Sequence, residues 1–284
     1  MFSFQENADI EKLFPLIRKA GYDGVEPVLS ENGYLNHKST EKDILTIKKL
    51  ADDVGLEIPS VGVWSLWDHN LVSNNSKVRQ EAKDIILKQL ECAALLGADT
   101  ILIVPGYVGC DFAANPERVR YDHAYDRCAE ALTELAPEAE KAGVSIGIEN
   151  VWNRFLLSPL EVKHLLEEVN SPFVGVYFDV GNIMYIGYPE DWIEILAQYI
   201  KKIHLCDYRV ASAGMSAFTD LFAGDVDFIR LVRVLCAVGY DDYLTLEMLP
   251  NYRQFPEISM FSNRPAVEKI TNLIKQFRTD GKTI

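Results

Sequence analysis

Four apolar stretches in the second half of the chain each run into a side chain that can bind a cation or move a proton. They are Ile146-Gly147-Ile148-Glu149-Asn150, Val176-Tyr177-Phe178-Asp179-Val180-Gly181-Asn182, Ile203-His204-Leu205-Cys206-Asp207 and Leu244-Thr245-Leu246-Glu247-Met248. Glu149, Asp179, His204 and Glu247 follow one another at intervals of 30, 25 and 43 residues, each long enough for one strand, one helix and their loops. Three carboxylates and an imidazole gathered in a low-dielectric pocket repel one another unless a cation joins them. Mn2+ is the expected cofactor for this oxygen-rich set with one nitrogen, with Mg2+, Co2+ or Zn2+ as alternatives; a closed zinc site would favour Cys and His.

Other residues stand where a substrate would pass. Trp64, Trp67 and His69, in Trp64-Ser65-Leu66-Trp67-Asp68-His69, follow an apolar strand. They either give a pocket mouth its apolar wall and one polar contact or pack locally. Trp152, just beyond Glu149, is expected to line the same pocket. Glu26 ends an earlier strand, where it holds a substrate hydroxyl or enters a salt bridge. Arg154 and Arg209 are the candidate anion contacts, and Asp227 reads as a helix cap.

Holding these residues in place requires a repeated unit, and the chain has one. Five times a helical pattern ends at a glycine (Gly21, Gly55, Gly97, Gly143, Gly239) and an apolar strand starts a few residues on. Glycine just past a helix takes the left-handed conformation at no side-chain cost. Strands are expected at 25–29, 58–63, 100–105, 145–149, 174–178, 202–205 and 243–248, with the near-continuous Val, Ile, Leu and Tyr content of parallel strands covered on both faces. Helical patterns fall at 9–20, 41–54, 77–96, 117–141, 160–169, 190–200, 227–238 and 264–276. The remaining strand is assigned to the stub 1–4, which is either short or continues upstream of Met1. The expectation is a (β/α)8 TIM barrel forming a single domain over 1–284, whose strand exits share one rim. No GxGxxG or GxxxxGK[ST] follows a strand, which argues against a doubly wound nucleotide fold.

Composition narrows the partners. The 284 residues are 48% apolar and 25% charged, a mixture that folds. Against 42 Asp and Glu stand 28 Lys and Arg, and the net charge of -14 would repel a phosphate backbone, so no nucleic-acid partner is expected. No apolar run approaches the roughly 20 residues that span a bilayer, and the first residues lack the basic start of a leader. A cytoplasmic protein with no membrane partner is expected. Its five Cys are odd in number, scattered and free of CxxC, and read as reduced core thiols. Trp67, Phe112 and Tyr252 are candidates for a contact between copies in a homodimer or homotetramer.

Glu149 in IEN, Asp179 in FDVGN, His204 in IHLCD and Glu247 in LTLEM, together with Gly21-Tyr22-Asp23-Gly24-Val25-Glu26, resemble the sugar isomerase/epimerase superfamily of xylose isomerase-like barrels, which includes the ketose 3-epimerases. The resemblance implies that these four residues are metal ligands. It also implies a small-molecule carbohydrate substrate, whose proton Glu149 and Glu247 exchange from opposite faces as the catalytic pair. Arg209 sits near a sugar-contacting Arg of those epimerases, and Asn153-Arg154-Phe155 echoes their motif after the first ligand. Asn182 stands where they carry a substrate-binding His, and Leu156 lies near a substrate-binding Glu, so a free ketohexose is not the expected substrate. The expected reaction is proton transfer through an enediolate in a sugar or sugar phosphate, epimerising or isomerising it. Loss of a β-hydroxyl after the same first step, as in an inosose-type dehydratase, is one alternative, and a non-catalytic sugar-binding barrel is another. The apurinic endonucleases of the superfamily use additional histidine ligands, one of which Asn182 replaces.

Overall fold

Residues 3–4, 6–110, 116–248, 252 and 254–280 are described in the structure, a computed structural model. The elements in chain order are α1 (Ile10–Lys19), β1 (Val28–Ser30), β2 (Leu35–Asn36), α2 (Glu41–Val54), β3 (Ser60–Val63), α3 (Ser76–Leu96), β4 (Thr100–Ile103), α4 (Tyr121–Ala142), β5 (Ser145–Glu149), α5 (Pro159–Val169), β6 (Val174–Asp179), α6 (Val180–Ile183), α7 (Pro189–Leu196), β7 (Ile200–Leu205), β8 (Asp207–Tyr208), β9 (Phe218–Thr219), α8 (Phe228–Ala237), β10 (Leu244–Leu246) and α9 (Ile258–Asp280). All five expected glycine caps have φ between 68° and 94°. At the opposite helix ends Thr40 and Asp43 form a capping box on α2. Asn75, Ser158 and Asp227 accept first-turn N–H groups of α3, α5 and α8.

Eight parallel strands form one curled sheet in the order β10-β7-β6-β5-β4-β3-β1-β2, with β8 and β9 as a separate antiparallel pair. Strands β3, β4 and β6 are buried along their whole length, as helices on one face and the barrel interior on the other require. The fold is the expected TIM barrel, but the stub 1–4 does not supply its eighth strand. Ser3 and Phe4 lie in a turn, and Met1 and Phe2 fall outside the described residues. The eighth place is taken by β2, because a tight turn folds the chain back beside β1. In that turn Gly33 N donates to Ser30 Oγ (2.9 Å), Asn36 Nδ2 donates to Gly33 O (2.9 Å), and Leu35 pairs with Leu29. Among the described residues no ladder joins β10 to β1 or β2. A cavity of about 1220 Å³ lies there, lined by Val25, Val28, Leu244 and Leu246 and by Phe14 and Ile17 of α1.

One irregularity sets the register on which the polar strand ends depend. Val176 pairs with Ile200 but Tyr177 pairs with Lys202, so Lys201 is an extra residue in β7. A bulge of this kind shifts every later side chain by one position, and without it the inward and outward residues of the strand would exchange faces. With it, Asp179 pairs with His204 and both point inward. Lys202, two residues below His204, is buried at the other end of the strand and bonds Asp99 (2.8 Å) and Asp242 (2.5 Å). Gly175 makes room for the bulge, since a Cβ there would collide with the Tyr199 carbonyl oxygen. No helix among the described residues is long and apolar enough to cross a membrane.

The Gly175→Ala variant should therefore lose about 1–3 kcal/mol of stability, the usual cost of forcing extra volume into a packed interior. Urea denaturation would measure it, and an unchanged midpoint would show that the bulge does not need the missing side chain.

Candidate metal centre

Register explains how four distant residues meet. Glu149 pairs with Tyr177, Asp179 with His204 and Thr245 with His204, so a period of two places Glu149, Asp179, His204 and Glu247 on the inner face at the strand exits. Each offers one ligand atom, and these atoms lie within 4.8 Å of one another. All four residues are buried, none being more than 4% exposed. His204 Nδ1 lies 3.2 Å from Glu149 Oε1, 3.8 Å from Glu247 Oε2 and 3.9 Å from Asp179 Oδ2.

Neighbouring groups hold the cluster. Asn150 clamps the end of β6 from both sides: its Nδ2 donates to Asp179 O (2.7 Å) and its Oδ1 accepts from Asp179 N (2.9 Å). Asp179 caps α6 by accepting Asn182 N at 2.7 Å, and the Cys206 thiol lies 3.4 Å from both of its oxygens. Glu26 Oε1 lies 3.0 Å from His204 Nε2, while Ser60 Oγ and Tyr177 OH each donate to Glu26 Oε2 at 2.6 Å.

Burial opposes every charge here. It raises the Glu149 carboxyl above its usual range, with Glu247 and Glu26 adding to the rise against the pull of His204. It raises Asp179 well above the usual carboxylate value, reinforced by Glu247 and Glu149. For His204 burial favours the neutral ring, but Glu26, Glu149 and Glu247 overcome it and raise the imidazole well above its ordinary value. Burial pushes Glu26 up as well, yet the charge and hydrogen bond of His204 and the Ser60 hydroxyl hold it at about 2. Glu247 Oε1 is buried with no hydrogen-bond partner among the described residues. An orphaned carboxylate oxygen beside two more carboxylates and an imidazole is the donor set a divalent cation satisfies.

The remaining expected contacts lie around this centre at different depths. Trp152 Nε1 donates to Asn182 O (2.9 Å), and its ring packs against Tyr208 and Phe218, which ties the loops after β5 and β6 together. Trp64 is 39% exposed and borders the cavity beside β10. Trp67 is buried against Val104, Tyr107 and Cys110, so local packing claims it and removes it from any contact between copies. Phe112 is outside the described residues, and Tyr252 bonds Asp220 at 2.9 Å. His69 faces Glu81 of α3 (3.1 Å). Arg154 is exposed over Gly109, and Arg209, also exposed, donates to Ala223 O at 2.8 Å. Leu156 is buried in the core. Glu26 has protein groups on both oxygens and faces His204 Nε2 at 3.0 Å, the ion pair that was one of its two expected readings.

Sequence reasoning gave no role to Asn150, Ser60, Tyr177 or Asp207. Asn150 and Asp207 were signalled by position, beside Glu149 and at the end of the His204 stretch. Ser60 and Tyr177 carry no local signal, because their partner Glu26 is 34 and 151 residues away. Asp207 accepts the N–H groups of Tyr208 (2.8 Å), Gly224 (2.9 Å) and Val226 (3.2 Å), which folds the segment bearing Arg209 back against the barrel.

Fold and site together define an α/β barrel whose strand exits gather three carboxylates and an imidazole that could hold a metal ion. The chain belongs to the xylose isomerase-like TIM barrel family, whose model matches residues 14–268. The putative L-ribulose-5-phosphate 3-epimerase SgbU of Escherichia coli is 26% identical over 262 residues, 89% of this chain and 88% of that protein. An inosose dehydratase of Clostridium perfringens is 23% identical over 252 residues, 78% of this chain and 81% of that protein. A solved L-ribulose 3-epimerase superposes with a TM-score of 0.78 at 19% identity, covering 99% of this chain and 95% of the other, a likeness of fold.

Because Asp207 satisfies three N–H groups, those of Tyr208 and Val226 buried and that of Gly224 half-buried, Asp207→Ala should cost about 1–3 kcal/mol and speed hydrogen exchange at the Gly224 and Val226 amides. Unaltered exchange at both would show that the carboxylate does not hold the segment.

Proposed function

We propose that this protein is a divalent-metal-dependent isomerase or epimerase of a sugar or sugar phosphate, and that Glu149 and Glu247 move the proton through an enediolate. The carrying observation is the buried group of Glu149, Asp179, His204 and Glu247, with its ligand atoms within 4.8 Å and one glutamate oxygen unpartnered. Three carboxylates and one imidazole suit Mn2+ best, with Mg2+, Co2+ and Zn2+ as alternatives. A cation held there supplies Lewis acidity toward a carbonyl and its neighbouring hydroxyl.

The two glutamates take the proton steps. In the order β10-β7-β6-β5 they belong to the outer strands, with Asp179 and His204 between them, which supports an approach to a bound sugar from two sides. One removes the proton next to the carbonyl and the other returns it to the opposite face, inverting that carbon. Trp64, Trp152 and Asn182 form the sugar-facing wall in this reading, and the exposed Arg154 and Arg209 meet an anionic substituent. The free thiols suit a reducing cytoplasm.

A second reading rests on the inosose dehydratase relative. It keeps the same first step, after which a β-hydroxyl leaves and no proton returns. Solvent-deuterium incorporation across ketoses, ketose phosphates and inososes, with Mn2+ supplied, separates the two. Deuterium at one carbon without loss of mass is expected, whereas a product lighter by one water selects the dehydratase. Glu149→Gln and Glu247→Gln should each lower turnover by about two to four orders of magnitude and weaken Mn2+ binding. Wild-type turnover in both variants would remove the proposal.

A further inference from the structure

We infer that Glu26 is a positioning residue for His204, fixing the ring so that Nδ1 faces the three carboxylates. This deepens the proposed function, since it rests on Glu149, Asp179, His204 and Glu247 being cation ligands. The two ring nitrogens of His204 face different groups. Nδ1 looks toward Glu149, Asp179 and Glu247, while Nε2 lies 3.0 Å from Glu26 Oε1. A ring nitrogen binds a cation only through its lone pair, so Nδ1 must be bare and the proton must sit on Nε2. A carboxylate opposite Nε2 holds the proton there and makes the other nitrogen a better donor to the metal.

Glu26 is itself fixed in a way a mere salt bridge does not require. Ser60 of β3 and Tyr177 of β6 both donate to Oε2 at 2.6 Å, which leaves Oε1 for the imidazole. The Tyr177 ring packs against the His204 ring with centroids 4.6 Å apart and planes at 60°, so it limits rotation as well as hydrogen-bonding behind it. Its hydroxyl also reaches Thr245 Oγ1 of β10 at 3.4 Å. The Glu26 side chain is only 3% exposed, which shields the bond from competing water. Groups from β3, β6, β10 and the segment before β1 thus converge on one ring of β7.

The test is Co2+ titration of the metal-stripped full-length protein, reading affinity by calorimetry and coordination by the visible absorption of bound Co2+. Wild-type protein that takes up no Co2+ overturns the metal reading and this inference with it. With wild-type binding in hand, Glu26→Gln should bind Co2+ about tenfold to a hundredfold more weakly and shift the Co2+ band. Unchanged affinity and an unchanged band would overturn the role of Glu26 alone. Asp242→Asn, which weakens the Lys202 pair at the other end of the barrel, should lower Tm but keep the wild-type Co2+ affinity. An equal loss of affinity in both variants would assign the effect to general destabilisation and likewise overturn the inference. If Glu26→Gln does not fold, Tyr177→Phe removes one hydrogen bond to Glu26 and keeps the ring packing. Several-fold weaker Co2+ binding supports the role, and unchanged binding rejects it.

Discussion

The interior of this barrel buries four acidic side chains, Glu26, Glu149, Asp179 and Glu247, around a single imidazole. Charges removed from water are tolerated only when paired or hydrogen-bonded, and one His204 cannot neutralise four carboxylates. The structure answers the imbalance unevenly. Glu26 receives hydrogen bonds from Ser60 and Tyr177 and faces Nε2 of the ring, which is why it stays ionised despite burial. Asp179 and Glu149 are raised chiefly by burial, and repulsion among the carboxylates at the strand exits adds to the rise. A doubly positive ion among Glu149, Asp179 and Glu247 would remove most of that repulsion, and it would also engage the Glu247 oxygen that has no hydrogen-bond partner among the described residues.

Such a centre needs rigid supports, because small displacements among like charges change the energy steeply. Glu149, Asp179 and His204 stand on strands and Glu247 directly follows β10, so none is carried by a long loop. Asn150 locks the ends of β5 and β6 together, and the bulge at Lys201 aligns His204 with Asp179. The bulge depends in turn on Gly175 having no side chain. A backbone irregularity at the far end of the sheet thereby determines which way the imidazole points.

These features differ in how plainly the chain announces them. The helix caps, the apolar strands and the polar residue ending each of four strands are local patterns, and the elements from α2 to α9 lie close to where those patterns put them. The meeting of Glu149, Asp179, His204 and Glu247 was legible for the same reason: strand exits in a barrel converge whatever the intervening loops do. What could not be read is anything set by register or by partners far apart in the chain. The β7 bulge adds one residue with no composition signal. Glu26 looks like any carboxylate ending a strand until Ser60, Tyr177 and His204 close around it. Trp67 sits in a run of rim-like aromatics but turns inward, because Val104, Tyr107 and Cys110 offer an apolar site. The stub 1–4 has the apolar content of a strand, but Ser3 is drawn into a turn where its hydroxyl accepts Met248 N at 2.9 Å.

In the proposed reading the group at the strand exits does not by itself choose between returning a proton and expelling a hydroxyl, since both would follow the same enolisation. The choice belongs to groups above it, on loops that the strands carry but do not shape. There the chain departs from a purely polar rim. Leu156 is buried with φ at 54°, so the loop after β5 turns an apolar residue into the core near where the resemblance to the ketose epimerases would place a substrate-binding Glu. Asn182 has its backbone N–H on Asp179 and its carbonyl on Trp152, so only its amide side chain is left for recognition. A sugar seated on this centre would meet fewer fixed acceptors on the side of β5 and β6. The segment held by Asp207 carries Arg209, and recognition would shift toward that segment and whatever anionic or polar group the sugar presents to it. Under the proposed function, substrate choice would therefore fall to the loops after β5, β6 and β8, built over the buried group at the strand exits.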